Sequence, residues 1–149
     1  MTIPPRLSAP IEDYTSYWQK LSPRSIRLIE KIADPSLRYT GPFFDTHGTD
    51  AFEQMATQLF SKIEKTKINI TDTAVGQDEQ TVYMRWIATV IPKGKKRQWT
   101  FQGISEVAFS PTGKVMSHID HWDSGLQFYL RLPVAGWIIR KILGRMFKG

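Results

Sequence analysis

Arg97-Gln-Trp-Thr-Phe-Gln-Gly-Ile-Ser-Glu-Val-Ala-Phe109-Ser-Pro-Thr-Gly113-Lys-Val-Met-Ser-His-Ile-Asp-His-Trp-Asp123 decides how this chain is read. Ser110-Pro111-Thr112-Gly113 holds the residue types that make a tight turn, and apolar and polar side chains alternate on both sides of it. Turn chemistry between two alternating runs predicts a hairpin. The same alternation continues upstream in Ile68–Val75 and Thr81–Ile91, with Gly76-Gln77-Asp78-Glu79 and Pro92-Lys93-Gly94 as further turns. Four strands in an antiparallel meander follow.

Before Lys65 the period is helical. Ile11, Tyr14, Trp18 and Leu21 stand at the spacing of one buried stripe, which predicts a helix over 11–21. Ser22-Pro23 opens a second, shorter helix carrying Ile26, Leu28, Ile29 and Ile32, which ends near Asp34-Pro35. A short extended stretch at Leu37–Thr40 leads into an irregular loop, Gly41 to Gly48. Thr49 caps a third helix with Phe52, Met55, Leu59, Phe60 and Ile63 facing inward. Three helices, then a sheet, then a tail make an α+β domain.

Composition narrows the classes. The chain has 149 residues, 41% of them hydrophobic and 23% charged, which suits one globular domain and excludes a disordered polymer. It has no cysteine, so disulfides and thiolate chemistry are excluded. No apolar run reaches the roughly 18 residues that span a bilayer. No apolar stretch follows the start Met-Thr-Ile-Pro-Pro-Arg-Leu7, so the expected compartment is the cytoplasm. The net charge of +6 comes from two patches, Lys93, Lys95, Lys96 and Arg97, and Arg140, Lys141, Arg145 and Lys148. Without these eight the rest is slightly acidic, which argues against nucleic acid as a partner.

The turns set an approximate register, and register sets which side chains share a face. An unbroken hairpin about Ser110–Gly113 places Glu106 opposite His118, Ile104 opposite Asp120 and Gln102 opposite Trp122. Met84, Trp86 and Ala88 join that face. Tyr83, Arg85, Trp99, Phe101, Ser105, Ile119, His121 and Asp123 fall on the other, where a dimer contact is one use for them. Titratable groups held among aromatics are the profile of a ligand cavity. Glu106, His118 and Asp120 are therefore the catalytic candidates: a carboxylate opposite an imidazole sets its tautomer, and Asp120 lies within reach to move a proton. The same trio also reads as a satisfied polar network with no chemistry. Tyr14, Trp18, Trp86, Gln102 and Trp122 are the candidate ligand-binding residues. On a strand His118 and His121 point to opposite faces, so neither a metal nor any other cofactor is expected.

Ile32-Ala-Asp-Pro-Ser-Leu-Arg-Tyr-Thr-Gly-Pro42, His47-Gly-Thr-Asp-Ala-Phe52 and Gly113-Lys-Val-Met-Ser-His-Ile-Asp-His-Trp-Asp123 resemble the nuclear transport factor 2 superfamily, and within it the SnoaL-like group, over residues from about 10 to 132. The resemblance implies a cone-shaped curved antiparallel sheet wrapped around the N-terminal helices, a conical cavity, a small hydrophobic ligand and a homodimer. It also bears on chemistry. The catalytic Asp of limonene epoxide hydrolases, which share the cone, falls on Asp120. The Trp that precedes it falls on His118, and their other four polar positions fall near Met84, Trp86, Arg38 and Thr40, which do not reproduce them. The base Asp of ketosteroid isomerases falls in Tyr39-Thr40-Gly41-Pro42, which has no carboxylate. The Asp of SnoaL-type cyclases matches Asp120 or Asp123.

Val134 to Lys148 is a basic amphipathic helix, with Ile138, Ile139, Ile142, Leu143, Met146 and Phe147 on one side, Arg140, Lys141, Arg145 and Lys148 on the other, and Trp137 at the boundary. Packing on its own domain or on a dimer partner is the expectation. Peripheral contact of Trp137–Lys148 with an anionic membrane is the alternative, and the helix carries a second functional reading, a non-enzymatic module that docks on a membrane surface or a protein partner.

Overall fold

The structure, a computed structural model, describes residues 3–147. Helix α1 spans Pro5–Gln19, starting earlier than the sequence pattern alone indicates. Pro5 occupies the first helical turn, where a missing N–H costs nothing. Pro10 lies inside the helix and packs against the Gly113 turn, where an added Cβ would come within 2.7 Å of its ring. Leu7, Ile11, Tyr14 and Tyr17 form its buried stripe. A 3₁₀ turn, Ile26–Leu28, runs into the single-turn helix α2, Ile29–Ile32.

The strands are β1 (Ala33–Gly41), β2 (Phe44–His47), β3 (Ile63–Val75), β4 (Thr81–Pro92), β5 (Trp99–Phe109) and β6 (Val115–His121), with α3 (Thr49–Phe60) between β2 and β3. They form one curved sheet in the order β2-β1-β6-β5-β4-β3. The expected meander is β3 to β6. The expected antiparallel sheet is in fact mixed, because β1 lies parallel to β6. Its ladder is interrupted between Ala33 and Arg38, where Pro35 has no N–H to give and Asp34 accepts instead from the Ser36 backbone and hydroxyl. The loop expected at Gly41–Gly48 contains β2, which pairs Arg38 with His47 and Gly41 with Phe44. Gly48, at φ +89°, turns the chain from β2 into α3.

The core lies between α1, α3 and the concave side of the sheet. Leu7, Tyr14, Ile29, Leu37, Phe52, Val82, Met84, Val107, Phe109 and Val115 are almost fully buried there.

After β6 come α4 (Ser124–Gln127), a 3₁₀ turn (Tyr129–Arg131) and α5 (Pro133–Met146). Past the end of β6, the outer rungs of β5 lack a strand partner. Gln127 supplies one: its amide oxygen accepts from the Gln102 N–H at 2.6 Å and its amide nitrogen donates to the Gln102 carbonyl at 3.1 Å. Arg131 donates to the Thr100 carbonyl at 3.0 Å. The expected packing of α5 on the domain is not found. Of its residues only Gly136 is buried, and Trp137, Ile138, Ile142, Leu143 and Met146 stand exposed. Lys148, in the expected span of this helix, lies outside the described residues.

Candidate functional site

One residue of β6 determines which side chains meet. Phe109 pairs with Val115, as an unbroken hairpin requires, but Ala108 pairs with Ser117, so Met116 is an extra residue. This bulge moves the register by one. His118 then faces Val107, Asp120 faces Ser105, and Glu106 faces Ile119. His118, Asp120 and Trp122 point inward as expected. The expected face of β5 is reversed: Trp99, Phe101 and Ser105 point in, while Gln102, Ile104 and Glu106 point out.

Glu106 is therefore not beside His118. It is half-exposed on the convex side, 3.6 Å from His121 Nε2. Gln102 is likewise exposed and does not line the cavity. Tyr14 reaches the site from below, through His118, and does not line it either. Trp18, Trp86 and Trp122 do. Asp123 caps α4, accepting from the Leu126 N–H at 2.9 Å, so Asp120 is the carboxylate in place.

The cavity has a volume of about 530 Å³. Its deep end holds His118, Ser105, Tyr39 and Met84, all buried, with Asp120 beside them. Its walls are apolar, with Trp18, Trp86, Trp122, Phe101, Ile68 and Ile70 among them. Leu59, Lys62, Phe43, Trp99 and Phe128 also line it. Gly103 makes room for two of the walls. A Cβ there would lie 2.6 Å from the Trp86 ring and 2.9 Å from Trp122 Cβ.

Asp120 is the hub of the polar end. His118 Nε2 lies 2.8 Å from Oδ1, Ser105 Oγ donates to Oδ1 at 2.5 Å, and Tyr39 donates to Oδ2 at 2.5 Å. Trp86 Nε1, which can only donate, gives its proton to Ser105 Oγ at 2.9 Å, which fixes the direction of that relay. Tyr14 Oη lies 2.7 Å from His118 Nδ1. Burial pushes the Tyr14 phenol well above its ordinary range, so it keeps its proton. One arrangement satisfies every group: Tyr14 donates to Nδ1, and the His118 ring carries its own proton on Nε2 and donates it to Asp120.

Burial by itself raises the Asp120 carboxyl. The adjacent His118 and the hydrogen bonds from His118, Ser105 and Tyr39 more than offset this, so Asp120 sits below the ordinary carboxylate value and is ionised. Burial also pushes Tyr39 well up, with the Asp120 charge adding to it, so Tyr39 remains a donor. A carboxylate has about four acceptor positions and three are filled. The polar end therefore has acceptor capacity to spare, while Tyr39, Ser105 and His118 already give their protons to Asp120; of the neighbouring donors only the buried Trp18 Nε1 has no partner.

Two residues of this group were not among the sequence-based candidates. Tyr39 shows in the β1 alternation, where Leu37 and Tyr39 are buried and Arg38 is exposed. Ser105 has no sequence signal, because it depends on the bulge at Met116.

The curved sheet, the N-terminal helices over it and the cavity between them define a nuclear transport factor 2-like fold. Residues 14–118 match the SnoaL-like domain family, and the chain belongs to that family. No curated protein matches the sequence. Among solved structures, a SnoaL-like polyketide cyclase from Jannaschia sp. CCS1, so named provisionally, superposes with a TM-score of 0.69 at 11% identity, covering 83% of this chain and 91% of its own. A protein with a ketosteroid isomerase-like fold from Catenulispora acidiphila DSM 44928, in complex with trimethylamine, gives 0.68 at 15% identity, covering 87% and 97%. An LEH-like epoxide hydrolase from M. tuberculosis gives 0.66 at 10% identity, covering 94% and 92%. These likenesses show a shared fold.

Proposed function

We propose that this protein binds a small, largely apolar molecule that carries a hydroxyl group, with the hydroxyl donating to Asp120 at the deep end of the cavity. What carries this reading is the unfilled acceptor position of a buried, ionised carboxylate in a cavity with apolar walls. The volume falls within the roughly 300–1,000 Å³ of small-molecule sites. A ligand carbonyl is the weaker match, since it needs a donor and Tyr39, Ser105 and His118 already give theirs to Asp120.

The hydrogen-bonded pair His118–Asp120 is also the place for acid/base chemistry on such a ligand, with Asp120 taking the proton and His118 assisting. Tyr14, rather than Glu106, orients the imidazole. A carboxylate held low by three donors is a weak base, because efficient proton abstraction wants a pKa nearer the working pH. Binding is therefore the primary reading.

Native mass spectrometry before and after denaturation, followed by tryptophan-fluorescence titration with dodecanol and its methyl ether, tests it. A released non-peptide mass bearing a hydroxyl supports the reading. So does a preference of about tenfold or more for the alcohol, the size of one hydrogen bond to a charged group, that Asp120→Asn removes. Equal affinity for alcohol and ether, or no binding of either, overturns it.

A further inference from the structure

The C-terminal helix stands apart from the cavity and has its own charge pattern. After Asp123 the chain has no acidic residue, whereas Arg131, Arg140, Lys141, Arg145 and Lys148 are basic. Helix α5 packs through one side on the 3₁₀ turn that precedes it. Gly136 packs so closely on the preceding turn that an added Cβ would lie 2.6 Å from the Leu130 carbonyl oxygen, and Arg140 donates to that same oxygen at 2.9 Å.

The opposite side is exposed and ordered in rows. Val134, Ile138, Ile142 and Met146 stand four residues apart, so they form one continuous ridge along the helix. Their exposures are 71%, 44%, 51% and 69%. The adjacent ridge is Trp137, Lys141 and Arg145, with the Lys141 ammonium 4.8 Å over the Trp137 ring. An apolar ridge running beside a cationic one for the length of the helix, with a tryptophan at the seam, fits a surface that offers apolar depth under a plane of negative charge.

We propose that α5 docks in the plane of an anionic lipid bilayer, its Val134–Met146 ridge entering the acyl boundary and Lys141 and Arg145 meeting lipid phosphates. A second copy paired helix to helix fits less well. It would set the cationic ridges of two α5 helices against each other with no carboxylate between them.

Vesicle flotation of the full chain tests the proposal, using phosphatidylcholine vesicles with and without phosphatidylglycerol, in low and near-molar salt. The expected result is flotation with the anionic vesicles in low salt only, because Lys141 and Arg145 act through a screened field. Ile142→Asp, and separately the pair Lys141→Glu and Arg145→Glu, should each lower vesicle partitioning by at least about tenfold. Since these side chains are exposed, circular dichroism and the urea midpoint should stay at wild-type values. A folded full chain that does not float with anionic vesicles overturns the proposal, as does flotation that neither variant weakens. Light scattering that shows a dimer abolished by Ile142→Asp, with no flotation, would also overturn it and assign the ridge to a second copy.

Discussion

Replacing Ser105 with alanine probes the site where sequence expectation and structure part company. Ser105 Oγ accepts from Trp86 Nε1 and donates to Asp120 Oδ1, and its side chain is buried. The alanine variant removes one hydrogen bond to a charged acceptor, worth about 1.5–3 kcal/mol, and leaves the indole N–H without its partner, a further loss of about 1–3 kcal/mol. Taking the low end of both, since Trp86 is only half-buried, gives about 2.5 kcal/mol. With an m-value near 2 kcal/mol/M, the urea midpoint falls by about 1.2 M. Glu106→Ala, one position along, is the control. Its side chain lies half-exposed on the convex face, so its effect should stay within about 0.5 kcal/mol. A double-mutant cycle of Ser105→Ala with Asp120→Asn isolates the relay and should show a coupling of about 1 kcal/mol or more. Urea unfolding followed by tryptophan fluorescence reads the four variants against the wild type. If Ser105→Ala costs under 1 kcal/mol while Glu106→Ala costs several, the register with the bulge at Met116 is wrong and the unbroken hairpin is right.

Three other outcomes follow from the same network. The Asp120 carboxyl is lower in the folded protein than in the unfolded chain, so its contribution to stability is complete above the ordinary carboxylate range and is lost as pH falls below about 4; the urea midpoint should drop there, and less steeply in Asp120→Asn. Gly103→Ala sets a Cβ 2.6 Å from both the His121 carbonyl oxygen and the Trp86 ring, so the β6 end and the Trp86 and Trp122 walls must shift, which should cost about 1–3 kcal/mol and weaken binding of cavity probes, as thermal unfolding and fluorescence titration would show. In ¹⁵N NMR the His118 ring should appear as the Nε2–H tautomer, and Tyr14→Phe should shift the Nδ1 resonance while leaving the proton on Nε2; an Nδ1–H ring would contradict the assignment of donors.

Much of the fold was legible because it is local. The β4, β5 and β6 strands announce themselves by alternation and by turn residues at their ends, and α1 and α3 by apolar spacing. The parallel pairing of β1 with β6 was not legible, since it joins segments some eighty residues apart and leaves no mark on either. Within the site, His118, Asp120, Trp86 and Trp122 were readable from strand parity alone. Glu106 and Gln102 were misplaced for a single reason: an extra residue in β6 reverses every side chain of β5 relative to it, and Met116 looks like any other strand residue. The exposure of α5 was not legible either, because an amphipathic pattern states that an apolar side exists and not what covers it.

Gln127 and Arg131 do for the outer end of β5 what a seventh strand would do elsewhere, but with side chains in place of a backbone ladder. Such a clasp closes a sheet without extending it, since a glutamine amide satisfies one N–H and one C=O and offers no new edge beyond them. It also makes that end of the sheet depend on residues that belong to no strand. A chain cut after Asp123 would keep its core and its polar network, yet it would present the backbone of Trp99–Gln102 bare, beside aromatic side chains, as a template for other chains. Proteolysis in the segment after the sheet should therefore appear first as lost solubility rather than lost fold.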